Sequence, residues 1–428
     1  MGGGLRRAAG RARPARRRRG VRPRGRLRHA AGMLSRSSRM GARVALERDA
    51  GLRARRLAAA AGARGAQRLR RSRPTMRGLV ARPGGRIEWR ALPSPPPPRP
   101  DAAVVHPVAV ATCDLDRALA LGTTPFPLPL HLGHECVAEV LSVGDQVATV
   151  RPGQRVVVPF QISCGGCAPC RAGLTANCAS VPPLSMYGFG VGGGHWGGAL
   201  ADQLTVPYAD GMLVPLPAGI DAAAAASVAD NVCDGYRHVA PHLPSLLERD
   251  PDTTVLIVAA VGRRPRFSGS IALYAGLTAR ALGARRVHLV DSRAGLRAHA
   301  ERLGLRASEP SELKEQEPAP LVVAAGGTAR GLRAALTATA PDGVCSSVGG
   351  LHATARIPTG LMYARNASYH VGRTHARALI PEVLELIEQG RLRPGDVTTR
   401  VAAIDEAPTV VREHVLGDAT KTVLTERR

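Results

Sequence analysis

The sequence predicts an α/β protein in two parts: a β-rich domain, then a doubly wound parallel sheet covered by helices on both faces. Three observations carry this. From Met76 to about Pro217, short apolar runs are separated by Gly and Pro, which is how short strands joined by turns read. After Thr253, continuous apolar runs alternate with helical stretches, the pattern of parallel strands buried on both faces. Within the first region, Cys164, Cys167, Cys170 and Cys178 stand at C-x2-C-x2-C-x7-C spacing, a local lobe built around sulfur.

The 428 residues suffice for two or three domains, and 44% hydrophobic with 3% aromatic residues describes a core of Ala, Val and Leu. No apolar run reaches the roughly 18 residues of a membrane span. The net charge of +26 is unevenly placed. Residues 1–75 hold 24 Arg, no Lys and two acids, Glu47 and Asp49, so they carry +22 and leave +4 for the rest. That segment lacks apolar periodicity and reads as a disordered Arg-rich extension. Three explanations compete for it: a basic arm on nucleic acid, a targeting peptide, or a start site placed upstream of the true Met76. The last is preferred, because a strand-like pattern begins there and the arm has no interleaved aromatics.

In chain order, Met76 to Trp89 reads as a hairpin around Pro83-Gly84-Gly85, and Ala102–Ala111 as a strand. Asp221 to Val228 begins a helix. Val255–Ala260 reads as a buried strand, Ile271–Leu282 as a helix and Arg286–Asp291 as the next strand. Leu321–Ala325 and Gly343–Val348 continue the rhythm, and Leu379–Gln389 is a late helix. The domains expected are 76–234 with the lobe at 164–178, 235–371, and a return to the first domain over 372–428.

Four thiolates at this spacing satisfy a tetrahedral Zn2+ at roughly 2.3 Å and leave no open position, so the lobe is read as a structural site. Two disulfides are the alternative. The N-terminal residues do not read as a secretory signal, and disulfides are rare in a reducing cytosol, which favours zinc and a cytoplasmic protein.

A second constellation lies outside the lobe, in Cys113-Asp114-Leu115-Asp116, Gly133-His134-Glu135 and Asp230-Asn231-Val232-Cys233-Asp234-Gly235-Tyr236. A thiolate, an imidazole and a carboxylate make three protein ligands and leave a fourth position for water or substrate. Taken singly, Cys113 is also readable as a core thiol, Asp230 as a helix cap and His134 as a turn residue. With the lobe following Gly-His-Glu, the stretch from about Met76 to Thr425 resembles the zinc-dependent alcohol dehydrogenases of the medium-chain dehydrogenase/reductase superfamily.

The resemblance implies a GroES-like catalytic domain, a Rossmann cofactor domain and a homodimer or homotetramer. It also implies two zinc ions per chain. Cys113, His134 and Asp230 correspond to the family's catalytic zinc ligands, with Cys233 the competitor for the third place. Asp116 corresponds to the carboxylate that accepts a hydrogen bond from the ligand His, and Glu135 to one that approaches the metal during ligand exchange. Leu115 stands where the family usually carries the Ser or Thr that begins its proton relay.

For the cofactor, the text between strand and helix is Val258-Ala-Ala-Val-Gly262-Arg-Arg-Pro-Arg-Phe267-Ser-Gly269-Ser-Ile-Ala272, an eroded G-x-G-x-x-G/A. Gly269 and Ala272 fit its second and third places; Phe267, or Gly262 with a looped insertion, stands at the first. Arg263, Arg264 and Arg266 read either as pyrophosphate contacts or as a solvated loop. Asp291, 22 residues after Gly269, is placed to accept the ribose 2′-OH of NAD, while Arg293 and Arg297 keep NADP open. Gly326, Val348 and Gly349 follow the later strands, where the family closes over the nicotinamide.

The expected activity is reversible oxidation of an alcohol to an aldehyde or ketone, with hydride transfer to NAD(P). A polyol, sugar or glutathione-adduct dehydrogenase is the alternative within the superfamily, and a non-catalytic nucleotide-binding regulator the alternative outside it.

Overall fold

In the computed structural model the described residues are 74–124, 126–189, 194–262, 267–349 and 354–426. The readings placed on residues 1–73 and on Arg263, Arg264 and Arg266 lie outside them. The hairpin forms as β1 (Thr75–Arg82) and β2 (Arg86–Pro93), in continuous antiparallel register from Thr75↔Pro93 to Arg82↔Arg86. Its turn uses Gly84 and Gly85 at φ +82° and +71°, a conformation that costs little only without a Cβ.

The first large sheet is built from β3 (Ala103–Ala111), β5 (Glu135–Val143), β6 (Arg155–Val158), β7 (Leu204–Val206), β8 (Val214–Pro215), β15 (Arg400–Ala403) and β16 (Thr422–Thr425). Its order is β15-β16-β3-β5-β6-β8, with β7 added beside β3. A short β4 (Leu130–His131) pairs with β1 instead. Most of β3 is buried on both faces, which is why its sequence alternates only weakly. Its register decides where the chemistry falls. Ala111 is opposite Glu135 on β5 and opposite Val423 on β16, so three chain segments that adjoin these strands converge at one end of the sheet.

The second sheet is wholly parallel, in the order β11 (Arg306–Ser308), β10 (Arg286–Asp291), β9 (Thr254–Ala260), β12 (Ala319–Ala324), β13 (Thr339–Ser347), β14 (Ser368–Val371). In chain order this is 3-2-1-4-5-6, the doubly wound arrangement whose ligand crevice opens beyond the strand ends between its first and fourth strands. The helix Ser270–Ala281 begins there, after β9. Helices Ala376–Glu388 and Ala407–Leu416 then lead the chain back to β15 and β16 in the first sheet. Among the described residues no helix is long and apolar enough to cross a membrane.

Two predictions follow from the packing. The helix Asn231–Arg237 approaches Ser270–Ala281 at Gly235, where an added Cβ would lie 2.7 Å from the Ala275 nitrogen. Backbone cannot yield there as a side chain tip can, so Gly235→Ala should destabilise by on the order of 1–3 kcal/mol in urea unfolding. His288 sits on β10 with Nε2 2.9 Å from Ser308 Oγ, and burial, aided by Arg306, pushes it down to about 4. A folded value below the unfolded one means that acid favours the unfolded chain. Stability should therefore be unaffected by this group above about pH 6.5, fall as pH drops towards 4 and level off below that. Thermal melts of the chain and of His288→Gln at pH 7 and pH 4.5 should show the smaller acid loss in the variant.

Candidate functional site

The register described above places Cys113 two residues beyond β3, His134 and Glu135 at the start of β5, and Lys421 just before β16. Asp230 arrives from the turn before helix Asn231–Arg237, fixed by the Phe160 N–H donating to Ala229 O at 3.3 Å. Ligand atoms of Cys113, His134, Glu135 and Asp230 all lie within 4.8 Å of one another, and all four residues are buried. Asp230 Oδ2 is 3.5 Å from both Cys113 Sγ and His134 Nε2. The rings of Phe189 and Phe160 flank His134 at 4.7 and 5.9 Å, and Phe126 stacks edge-on against Phe189, so the imidazole faces little water.

The donor set fits a metal ion on its own chemistry. Both His134 ring nitrogens and Glu135 Oε1 are buried without a hydrogen-bond partner, an arrangement that costs free energy unless a cation is held there. Burial, reinforced by Asp230, pushes the Cys113 thiol well up, and only a nearby cation reverses that. One soft and several hard donors with an open side match zinc. Cys233 is not part of the cluster: it is buried and donates to Val228 O at 3.0 Å.

The expected bond between His134 and Asp116 is not formed. Asp116 Oδ1 is 3.9 Å from His134 Nδ1, while Oδ2 accepts from the Cys113 N–H at 2.8 Å. Asp116 thus fixes the backbone of the thiol-bearing residue, because the tight turn after β3 brings that N–H closer than the ring. The partly buried Leu115 donates its N–H to Cys113 Sγ at 3.4 Å.

Three residues that the sequence reading passed over organise the site. Lys421 is fully buried, donating to Glu135 Oε2 at 2.6 Å and Asn231 Oδ1 at 2.9 Å, with Nζ 5.7 Å above the Tyr274 ring. Burial opposes its charge, but Glu135, Tyr274 and Cys113 together outweigh burial and the ammonium is held above its ordinary value. Asn231 donates to Cys113 Sγ at 3.3 Å and Asp230 Oδ2 at 3.1 Å, so it orients two of the four ligands. Asp114, beside Cys113, reaches across to the helix Ser270–Ala281. Lys421 carried a signal, since it is one of two lysines in an Arg-rich chain; Asn231 and Asp114 carried none.

In the lobe, the sulfurs of Cys164, Cys167, Cys170 and Cys178 meet the same 4.8 Å criterion, and all eight cysteines are free. Cys167 and Cys178 sulfurs are 3.9 Å apart, which excludes a bond between them here. N–H groups of Cys164, Cys167 and Ala179 point at sulfurs, each at 3.3 Å, and Ser180 Oγ donates to Cys164. The Ala179 N–H, followed by that of Cys170, pulls the Cys167 thiol down to about 6, while burial pushes the Cys170 thiol up to about 12.

The nucleotide cleft departs from expectation. Gly269 caps the helix Ser270–Ala281, Ala272 is buried inside it, and Gly326 lies so close to β9 that a Cβ would meet Ala259 O at 2.6 Å. Val348 donates to Ala324 O, and Gly349 turns with φ +92°. Phe267, buried before Ser268, packs its ring on Gly327, where a Cβ would come within 2.4 Å. Asp291 is not free for a ribose. It is fully buried and gripped by Arg293 through Nε at 2.9 Å and Nη2 at 2.8 Å, because its own turn brings the guanidinium back over it. Arg297 is likewise spent on Asp291 O and Glu309 rather than on a phosphate. The helix N-terminus is capped by the Asp114 carboxylate. As arranged, these residues do not fit a dinucleotide pyrophosphate.

Residues 99–218 match the alcohol dehydrogenase GroES-like domain. A probable zinc-binding alcohol dehydrogenase of Mycobacterium tuberculosis is 30% identical over 341 residues, covering 78% of this chain and 83% of the relative. A glutathione-independent formaldehyde dehydrogenase of Pseudomonas aeruginosa is 29% identical over 402 residues, 81% of this chain and 97% of the relative. Among solved structures, alcohol dehydrogenase TADH from Thermus sp. ATN1 superposes with a TM-score of 0.74 at 27% identity, covering 82% of this chain and all of that one.

Among the described residues, Lys421 is the cation within hydrogen-bond reach of the fully buried Glu135 carboxylate. Lys421→Met should cost about 3–5 kcal/mol in urea unfolding, since it strands a buried charge. Adding Glu135→Gln should recover most of that loss; a double variant as unstable as the single one would show that Lys421 acts through packing alone.

Proposed function

Since the chain belongs to the zinc-type alcohol dehydrogenases of the medium-chain dehydrogenase/reductase superfamily, we propose that it interconverts an alcohol and an aldehyde or ketone, with a nicotinamide dinucleotide as hydride partner, at a catalytic zinc held by Cys113, His134 and Asp230. The observation that carries this reading is the meeting of four ligand-bearing side chains with both His134 nitrogens unpartnered. A second zinc is assigned to Cys164, Cys167, Cys170 and Cys178, where it would be structural. We read the protein as cytoplasmic and as a homodimer or homotetramer.

Zinc, when bound, supplies Lewis acidity that polarises a carbonyl and lowers the pKa of a bound hydroxyl. The chain's own residues do the rest. Asn231 aims the Cys113 sulfur and the Asp230 carboxylate, and Asp116 holds the Cys113 backbone. Lys421 holds one oxygen of Glu135, leaving Oε1 turned towards the cluster as a further oxygen donor. Phe126, Phe160 and Phe189 keep water from the imidazole. Leu115 carries no exchangeable proton, so it cannot begin the relay expected of a hydroxyl at that position.

A formaldehyde- or polyol-type substrate is the second reading. The carboxylate ligand Asp230 hardens the site, and the similarity to the Pseudomonas formaldehyde dehydrogenase spans 97% of that relative.

The full chain should carry two zinc ions by elemental analysis. Cys113→Ser or His134→Ala should remove one and lower kcat by about 10³-fold or more. Cys164→Ser should remove the other and chiefly lower the melting temperature. Zinc stoichiometry unchanged by Cys113→Ser, or a zinc-loaded chain inert towards alcohols, diols, sugars and aldehydes with both NAD and NADP, would count against the assignment.

A further inference from the structure

The residue next to the metal-site cysteine spends its charge on the cofactor domain. Asp114 is 2% exposed, although no cation sits within ion-pair distance of it among the described residues. Its carboxylate lies on the first turn of the helix Ser270–Ala281 instead. Oδ1 accepts from Ser270 N at 3.0 Å, from Ser270 Oγ at 2.6 Å and from Ser268 Oγ, and Oδ2 from Gly269 N at 3.3 Å. This helix has no cap of its own, since Gly269 at its N-cap has no side chain to offer. The cap comes from 156 residues away in sequence.

That place has another claimant. In a doubly wound sheet of this strand order, the N-terminus of the helix after the first strand receives the dinucleotide pyrophosphate through the same backbone N–H groups and the same helix dipole. Both the carboxylate and the pyrophosphate are anions, and one set of donors cannot serve them together. Among the described residues, the arginine folded over this turn is already engaged. Arg293 donates Nη1 to Phe267 O at 3.1 Å and Ser268 O at 2.8 Å, and its remaining nitrogens grip Asp291. A cavity of about 40 Å³, room for one or two waters, lies beside Asp114 between Cys113, Arg117, Ser268 and Arg293.

We propose that Asp114 is a specificity-determining residue of the nucleotide cleft, an internal carboxylate that competes with the dinucleotide pyrophosphate for the N-terminus of the helix Ser270–Ala281. The inference rests on the reading that this chain uses a nicotinamide dinucleotide. Binding then requires Asp114 to leave the helix, and its departure is felt at the metal site by two routes. Asp114 adjoins Cys113 in the chain, and Ser270 Oγ also lies 2.9 Å from Asn231 Oδ1, an alternative acceptor for its one proton, while Asn231 holds Cys113 and Asp230. Cofactor occupancy and ligand orientation are therefore coupled through one buried polar network.

The test uses the full-length, zinc-loaded chain with Asp114→Asn and Asp114→Ser. NADH binding is followed by fluorescence, and ADP-ribose and adenosine binding by calorimetry. Asn keeps a cap oxygen without the charge, so the helix retains its N-terminal partner. NADH and ADP-ribose, which carry the pyrophosphate, should bind either variant about tenfold more tightly than the unaltered chain, the change expected when one like-charge contact is removed. Adenosine has no phosphate and should change less than about twofold, which a general loosening of the fold would not reproduce. If neither variant binds NADH more tightly than the unaltered chain does, the competition is wrong and the dinucleotide reading stands. If no form of the protein binds NADH or ADP-ribose, both the competition and the dinucleotide reading fail.

Discussion

Everything at the site depends on one strand pairing. Ala111 on β3 faces Glu135 on β5 and Val423 on β16, and that register brings the thiol, the imidazole, the carboxylate and the ammonium to one end of a sheet. A slip of one residue would turn every side chain of a strand to the opposite face. The register is held by a strand buried on both faces and by a side-chain clasp at the site itself: Thr112 Oγ1 accepts from Thr422 N at 3.0 Å, and Thr112 N donates to Thr422 O at 2.9 Å. The last strand of the chain is thus as much a part of the site as the first. It also explains why the C-terminal segment returns to the β-rich region, since Lys421 must reach Glu135 from there.

The sequence showed what is local or periodic. The strand Arg286–Asp291 was legible to the residue, and the hairpin came within one residue at its start, because apolar runs and Gly-Gly turns are written in adjacent positions. Cys113, His134, Glu135 and Asp230 were legible through motif and spacing, and they do meet. What escaped was pairing over distance. Nothing in the text near Lys421 says that it is buried against a carboxylate 286 residues earlier. Nothing near Asp114 says that it caps a helix in the other half of the molecule. Asp291 differs for a related reason: its position predicts a ribose acceptor, and Arg293 two residues on folds back onto the same carboxylate. Asp116 differs from expectation by about an ångström, a distinction that no spacing rule resolves.

The two clusters of donors solve different physical problems. In the lobe, backbone N–H groups point at the sulfurs of Cys164, Cys167 and Cys178, so negative charge there is spread over dipoles. In the other cluster the charges are buried and unlike one another. Cys113, Glu135, Asp230 and Asp116 bring up to four negative charges into a region where each is less than a tenth exposed, and Lys421 returns a single positive charge. Burying such an imbalance is costly, so without a cation Cys113 and Glu135 are driven to hold their protons. The upward pressure on both the Cys113 thiol and the Glu135 carboxyl, with burial as the leading cause for each, is that demand expressed. A divalent ion meets it and releases the protons, which ties the metal's affinity to pH and the metal's presence to the stability of this end of the sheet. The same arithmetic accounts for Asp114. A fourth carboxylate beside this centre would worsen the imbalance if it pointed inward, and the chain directs it to the positive end of a helix in the neighbouring sheet, where the dipole and four donors from three residues receive it. The charge that the metal site cannot hold is placed where a cofactor's charge is expected, and the two halves of the molecule are joined by that placement.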